Sequence, residues 1–248
     1  MWLSQGSFRG LRETTVPEGV GGLPDRADHD VDYQRLESLL TEERLGSYFR
    51  AADGDRTAAF ALYEWNIEAS AAAVSLSAMV EVVLRNALDR EMAILASKKG
   101  WSDWLDTAPL GERGRKDVRQ ARARARRGRK VATRGHVVAE LNLGFWRFLM
   151  SRRYLTHLWV PALDKAFPGA EGDARTNQRV LEGHVEQINF LRNRAAHHEP
   201  IHRRDLLSDL NRAIYVADCI DPVAGRWIRS RETLSDTLAR RPDKQDQR

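Results

Sequence analysis

Between Val31 and Thr237 apolar residues recur at every third or fourth position, the interval that gathers them on one side of an α-helix. Val31 to Ala51 shows it first, through Leu36, Leu39, Leu40, Leu45, Tyr48 and Phe49. Asp53-Gly54-Asp55 then breaks the pattern and offers a helix N-cap. Asp55 to Ser97 holds neither glycine nor proline and is rich in Ala and Leu, which predicts one long helix or two collinear ones. Gly100 to Gly111 reads as a connector carrying Trp101 and Trp104. Further helices are predicted over Gly135–Met150, Arg152–Ala166, Ala174–Ala196, Asp205–Ile220 and Ala224–Thr237. No stretch alternates as a strand does between hairpin turns, and no repeat is visible. The pattern predicts an all-α fold, a helical bundle. One domain is expected over residues 31–237, between a Gly- and Pro-rich tail at 1–30 and a polar tail at 238–248.

Composition narrows the class. The 248 residues are 42% hydrophobic, enough to bury a sizeable core. The single cysteine, Cys219, excludes a disulfide within the chain and suits a reducing compartment. The N-terminus lacks a basic start followed by an apolar run, and the longest weakly polar run, Ala69 to Val80, is short for a membrane span. A soluble cytoplasmic protein is expected, with no membrane partner, no cofactor and no metal.

Charge adds a localised feature. The net charge is +5, yet residues 113–130 (RGRKDVRQARARARRGRK) hold ten basic residues and one acidic one, so the remainder is net negative. Arg115, Arg119, Arg122 and Arg126 fall in one row of a helix that would leave at Gly128. Charges surround that helix and Val118 is its one large apolar residue, which predicts an element outside the core, either solvated or facing a polyanion such as RNA. Trp65, Trp146 and Trp159 lie in apolar periodic segments and are expected in the core, which leaves Trp101 and Trp104 as candidates for base stacking.

Residues 192–202, RNRAAHHEPIH, carry two signatures at once. His198-Glu199-Pro200-Ile201-His202 spells the zinc-peptidase pattern H-E-x-x-H, which needs both histidines on one helical face. Pro200 stands inside it, and an interior helical proline costs roughly 3 kcal/mol. A third ligand is also missing, because Asp205 and Ser208 stand where the extended pattern has glycine and histidine. The second signature is Arg192-Asn193-x3-His197, at the end of a helix whose apolar stripe is Leu181, Val185, Ile188, Leu191 and Ala195. Arg192 sits close to that stripe and needs a partner. The long helix offers one: Glu81 and Arg85 fall on or beside a face predicted from Val74, Ala78, Val82, Leu88 and Met92. A purely structural ion-pair network would place the same residues together, and His197 would also serve as a cation at the negative end of a helix.

LRNRAAHHEPI, together with LYEWN (62–66), MVEVVLRNAL (79–88) and GHVVAELNLGFWRFL (135–149), resembles the Abi-like proteins of bacterial abortive infection, members of the HEPN superfamily. The resemblance runs over roughly residues 32–230. It implies an all-helical domain and, in many members, a metal-independent endoribonuclease assembled across a homodimer. It implies a toxin-type role in phage defence, with an antitoxin protein as a possible partner. Carried over residue by residue, it assigns Arg192, Asn193 and His197 as the catalytic set, with His198 as an alternative histidine and Glu81 and Arg85 in support. Other members bind RNA without cutting it, which remains the alternative here. These residue types suit the chemistry. Histidine can exchange a proton near neutral pH, and a guanidinium suits the charge that grows on phosphate oxygens.

Overall fold

A computed structural model describes residues 31–128 and 131–242 of the chain. The tail expected at 1–30, Arg129-Lys130 and the end of the chain from 243 lie outside the described residues. Among the described residues every regular element is helical: α1 (Tyr33–Leu40), α2 (Glu42–Ala51), α3 (Arg56–Lys99), α4 (Trp104–Thr107), α5 (Gly111–Ala125), α6 (Arg134–Glu140), α7 (Leu143–Leu149), α8 (Ala174–Ala196), α9 (Leu206–Ile220), α10 (Pro222–Arg231) and α11 (Leu234–Ala239). The all-α expectation holds.

The spine is α3, a single helix of 44 residues. The Asp55 carboxylate caps its first turn through the Ala58 amide (2.8 Å), and Gly100, left-handed at φ 68°, closes it. By length and composition α3 would suffice to cross a membrane, which the run Ala69–Val80 alone did not suggest; 44% of that apolar stretch is buried against the other helices. The buried face of α3 carries Leu76, Val80, Leu84, Leu88 and Met92. Val74, Ala78 and Val82, expected on that face, are instead exposed. Of the predicted stripe, Leu88 and Met92 are buried as expected, and Leu76, Val80 and Leu84 take the places of the other three.

Helices α8 and α9 pack on α3 and on each other, and α10 and α11 close the bundle. The predicted stripe of α8 (Leu181, Val185, Ile188, Leu191, Ala195) is buried. Asp209, fully buried on α9, takes Arg204 and Arg212 as ion-pair partners, and Arg204 also donates to the Gln187 side chain on α8 (3.0 Å). That network ties the two helices together.

Four predicted segments divide, each for a local reason. The first breaks at Thr41, whose φ of 69° no helix interior accepts. Gly135–Met150 breaks at Asn142, whose side chain turns to cap the Phe145 amide (3.0 Å) and restarts the helix as α7. Arg152–Ala166 is two 3₁₀ turns (Arg152–Tyr154, Leu163–Ala166) around a π turn (Leu155–Trp159). Pro161 supplies no amide to this stretch, and the chain widens just ahead of it, with the Val160 amide bonded to the Leu155 carbonyl (2.9 Å). Ala224–Thr237 breaks at Glu232, which accepts from the Leu234 amide (2.7 Å). The first residues of the expected tail pack on the bundle: Arg241 donates to the His202 carbonyl (2.8 Å) and lies over the Trp65 ring.

The basic helix is the largest correction. α5 does pack, through Gly114, Val118, Ala121 and Ala125, a stripe of small residues at helical spacing that leaves no large apolar signal. Because Ala121 is fully buried, Ala121→Leu should overpack this contact and lower stability by about 1–3 kcal/mol in urea unfolding. A freely solvated α5 would leave stability unchanged.

Candidate functional site

The Asp173 carboxylate starts α8 by accepting from the Thr176 amide (2.7 Å). Its far end stops before the proline is reached. The His198 amide bonds the Ala195 carbonyl (3.1 Å) and the Glu199 amide bonds the Arg194 carbonyl (2.8 Å). These are the two hydrogen bonds of a Schellman cap, and they place His198 in the left-handed position, at φ 57°. Glycine is the usual occupant there; a histidine is strained by about 1–2 kcal/mol. The chain beyond is then fixed to the spine: the Ile201 amide donates to the Asn66 side chain on α3 (2.8 Å), and Arg44 donates to the His198 carbonyl. Arg194 braces the turn through the Pro200 carbonyl (2.8 Å) and Glu199 (3.4 Å).

Arg192, Asn193 and His197 lie on this last stretch. Arg192 and Asn193 are half-buried and His197 is exposed at the helix cap. The Arg192 guanidinium donates to the Asn193 side chain (3.2 Å), and the His197 amide bonds the Asn193 carbonyl (3.0 Å). None of the three is sealed in the monomer.

Glu81 and Arg85, on the middle of α3, approach from the other side. The Glu81 carboxyl feels the charges of both Arg192 and Arg85 and accepts a hydrogen bond from the Leu143 amide at the start of α7. Burial outweighs these attractions and raises its pKa above the ordinary carboxylate value. Among the described residues no ion pair within 4.0 Å joins Glu81 to either arginine. Arg85 donates to the Ala139 carbonyl (3.4 Å), and its Nε is buried without a partner. The arrangement is a loose cluster of charge around Arg192, not the closed ion-pair network considered from sequence. Because Glu81 lies near Arg192 while Asn66 holds Ile201, α8 runs antiparallel to α3.

Next to the cap an apolar groove of about 650 Å³ opens between Tyr63, Ile67, Ala71 and Val74 of α3 and Ala195 and His198. Val82 continues the exposed apolar line along α3. At this end the groove is lined by Ala195, Ala196 and His198, the residues on either side of His197 in the chain.

The H-E-x-x-H spacing does not lie on a helix. His198 is exposed beyond the end of α8, whereas His202 is 1% exposed, stacks on Tyr48 and meets the Ser47 hydroxyl (3.3 Å). Among the described residues no group of three or more His, Cys, Asp or Glu is placed to hold a metal ion.

The basic row is only partly free. Arg115, Arg119 and Arg126 are exposed, but Arg122 is drawn back to Asp106 (2.9 Å) and Asp103 (3.4 Å). Arg124 is bound to Glu140 (3.1 Å). Of the two stacking candidates, Trp104 is fully buried and donates to Asp89 (2.8 Å), so it cannot reach a base; Trp101 is half-buried against the core. Sequence reasoning missed Arg44 and Asn66, which position the turn. A polar Asn66 among the buried residues of α3 was the one visible signal.

Compared with models of protein families, with curated proteins and with solved structures, the chain matches none. What the end of α8 can do is therefore read from its own residues.

His202 makes the stability of this region sensitive to pH. Burial, then the charges of Arg203 and Arg241, depress its pKa to about 4. Above pH 6.5 the ring is neutral whether the chain is folded or not, and it costs nothing. As pH falls below 6.5 the unfolded chain takes up the proton first, so stability drops until about pH 4 is reached. Unfolding at pH 7.5 and at pH 5.5 should differ by about 1 kcal/mol from this group. His184, also depressed by burial, adds in the same direction. His202→Gln should remove the His202 share of the difference; an unchanged difference would contradict the assignment.

Proposed function

We propose that the chain is a metal-independent endoribonuclease of the Abi-like, HEPN type, acting in the cytoplasm as a homodimer. The observation that carries the reading is the open end of α8, where a half-buried Arg192 held by Asn193 stands one turn from an exposed His197. The substrate is an RNA phosphodiester. Its 2′-hydroxyl attacks the adjacent phosphorus, the bond from phosphorus to the 5′-oxygen breaks, and the products are a 2′,3′-cyclic phosphate and a 5′-hydroxyl. His197 accepts the proton from the 2′-hydroxyl. The Arg192 fork holds the phosphate oxygens as charge builds on them, and Asn193 fixes that fork. The loose electrostatics favour this role: an arginine locked in a close ion pair with Glu81 would have less to offer a phosphate.

A single histidine supplies one proton-transfer group, and the departing 5′-oxygen needs a second. In a two-fold dimer the partner's His197 provides it. The exposed apolar line of Ile67, Val74 and Val82 beside the motif is a surface that such a dimer would cover. A second reading is favoured by the exposed Arg115, Arg119 and Arg126 on α5: an RNA-binding module of the same fold that does not cut.

Purified protein should cut single-stranded RNA in EDTA. His197→Ala should lower the rate by about 10²–10⁴-fold with melting unchanged. Cutting that disappears on chelation would overturn the proposal, and RNA binding without cutting, unaltered in His197→Ala, would favour the second reading. His198→Gly separates the two histidines. It should raise stability by about 1 kcal/mol through relief of the left-handed strain. If His197 is the working residue, this variant should cut RNA at the parent rate.

A further inference from the structure

A second cleft lies at the opposite end of α8 from the motif. It has a volume of about 380 Å³ and is lined by Arg152, Arg175 and Arg179 together with Leu155, Gln178 and Glu182. The three arginines are not held by ion pairs of the kind that fix other arginines of the chain. Arg122, Arg124, Arg147, Arg194, Arg204, Arg212 and Arg229 each have a carboxylate within ion-pair distance. Among the described residues Arg152, Arg175 and Arg179 have none, and all three are exposed. Two acids lie nearby: Glu182 lines the cleft itself, and Asp173 is close enough to Arg175 for that charge to help lower its pKa. Glu182 accepts from the Gln178 amide group (2.7 Å), and Asp173 accepts from the Thr176 amide at the start of α8.

The wall is fixed. Gln178 is 3% exposed and its amide group also donates to the Met150 carbonyl (2.9 Å), so its position is set from both sides. Ser151, the next residue, keeps a buried hydroxyl with no hydrogen-bond partner. Three guanidinium groups lining one cavity with the single carboxylate of Glu182 leave an excess of positive charge, and planar forks match the oxygens of a phosphate as they do not match a halide. Leu155 gives the cleft an apolar side against which a sugar or base can rest.

We propose that Arg152, Arg175 and Arg179 form a phosphate-binding cleft that takes a phosphorylated nucleoside or nucleotide unit. Arg175 and Arg192 are separated by seventeen residues of α8, about 25 Å along the axis. The cleft is therefore distinct from the motif, and it stands whether or not the motif cuts RNA. The phosphate comes either from a free mononucleotide or from an RNA strand that extends away from the motif.

The test is calorimetric titration of the full chain with inorganic phosphate, with adenosine monophosphate and with a short oligouridylate. It uses the parent protein, Arg152→Ala/Arg179→Ala and the charge-preserving Arg152→Lys/Arg179→Lys. The alanine variant should bind the ligand about ten- to a hundredfold more weakly. The lysine variant should lie between it and the parent, because it keeps the charge and loses the fork. Loss of adenosine monophosphate binding identifies a free nucleotide as the source. Loss confined to the oligouridylate, with a salt dependence shallower by about 0.7 for each phosphate contact removed, identifies the RNA backbone. Parent protein that binds none of the three probes, or an alanine variant that binds them as the parent does, overturns the proposal. Because the replaced side chains are exposed, the variants should melt with the parent. Inorganic phosphate and adenosine monophosphate hold no phosphodiester to cut, so their binding is read independently of cutting, and the cleft and the nuclease reading fail separately.

Discussion

The position of α8's last turn sets where the motif's side chains can go. His197 still bonds the Asn193 carbonyl as a helical residue does, so it keeps its place on the barrel of α8, five residues on from Arg192. The cap at His198 ends the helix early, turns the chain through a left-handed residue and leaves Arg192, Asn193 and His197 at an open corner. The strain in that turn is offset by hydrogen bonds from outside it. Asn66 takes the Ile201 amide, Arg44 takes the His198 carbonyl and Arg194 spans to Pro200. A non-glycine residue held in such a conformation by its surroundings is the kind of feature that accompanies a function more often than a plain helix end.

Charge is distributed by the same economy. Where an arginine has a structural task, the chain supplies a carboxylate close by, as Asp209 does for Arg204 and Arg212 between α8 and α9. Arginines without an ion-pair partner include Arg115, Arg119 and Arg126 on the outer side of α5 and Arg152, Arg175 and Arg179 at the cleft beside the start of α8. Arg192 is intermediate. Burial raises the Glu81 pKa although Arg192 and Arg85 pull it down, and among the described residues no ion pair within 4.0 Å joins Glu81 to Arg192.

Helix type, the long spine and the buried stripe of α8 were legible because each is a run of large apolar residues at one period. The residues gathered around Arg192 were legible too, since a charged side chain beside an apolar stripe demands a partner and the spine offered Glu81 and Arg85. Three things escaped for physical reasons. The packing face of α5 is built from Gly114, Ala121 and Ala125, whose small side chains look like nothing in a hydropathy pattern until a neighbour approaches. The breaks at Asn142 and Glu232 come from side chains competing for backbone amides, a contest decided by local geometry. The cleft of Arg152, Arg175 and Arg179 joins residues from separate segments, and only the fold brings them together.

The apolar face of α3 fits the same picture. An Ala-rich helix was expected to bury Val74, Ala78 and Val82, and the chain leaves them in solvent while burying a neighbouring face. An exposed line of valine and isoleucine is costly to keep unless something covers it, and here it begins at the groove that His198 borders. The histidine that the helix cap strains and the apolar strip that the bundle leaves open are thus neighbours. One surface, covered by a second copy, would both hide the strip and bring two copies of the α8 corner into reach of a single phosphodiester. The monomer's two irregularities, a left-handed histidine and an unburied helix face, then have one common explanation in the proposed dimer.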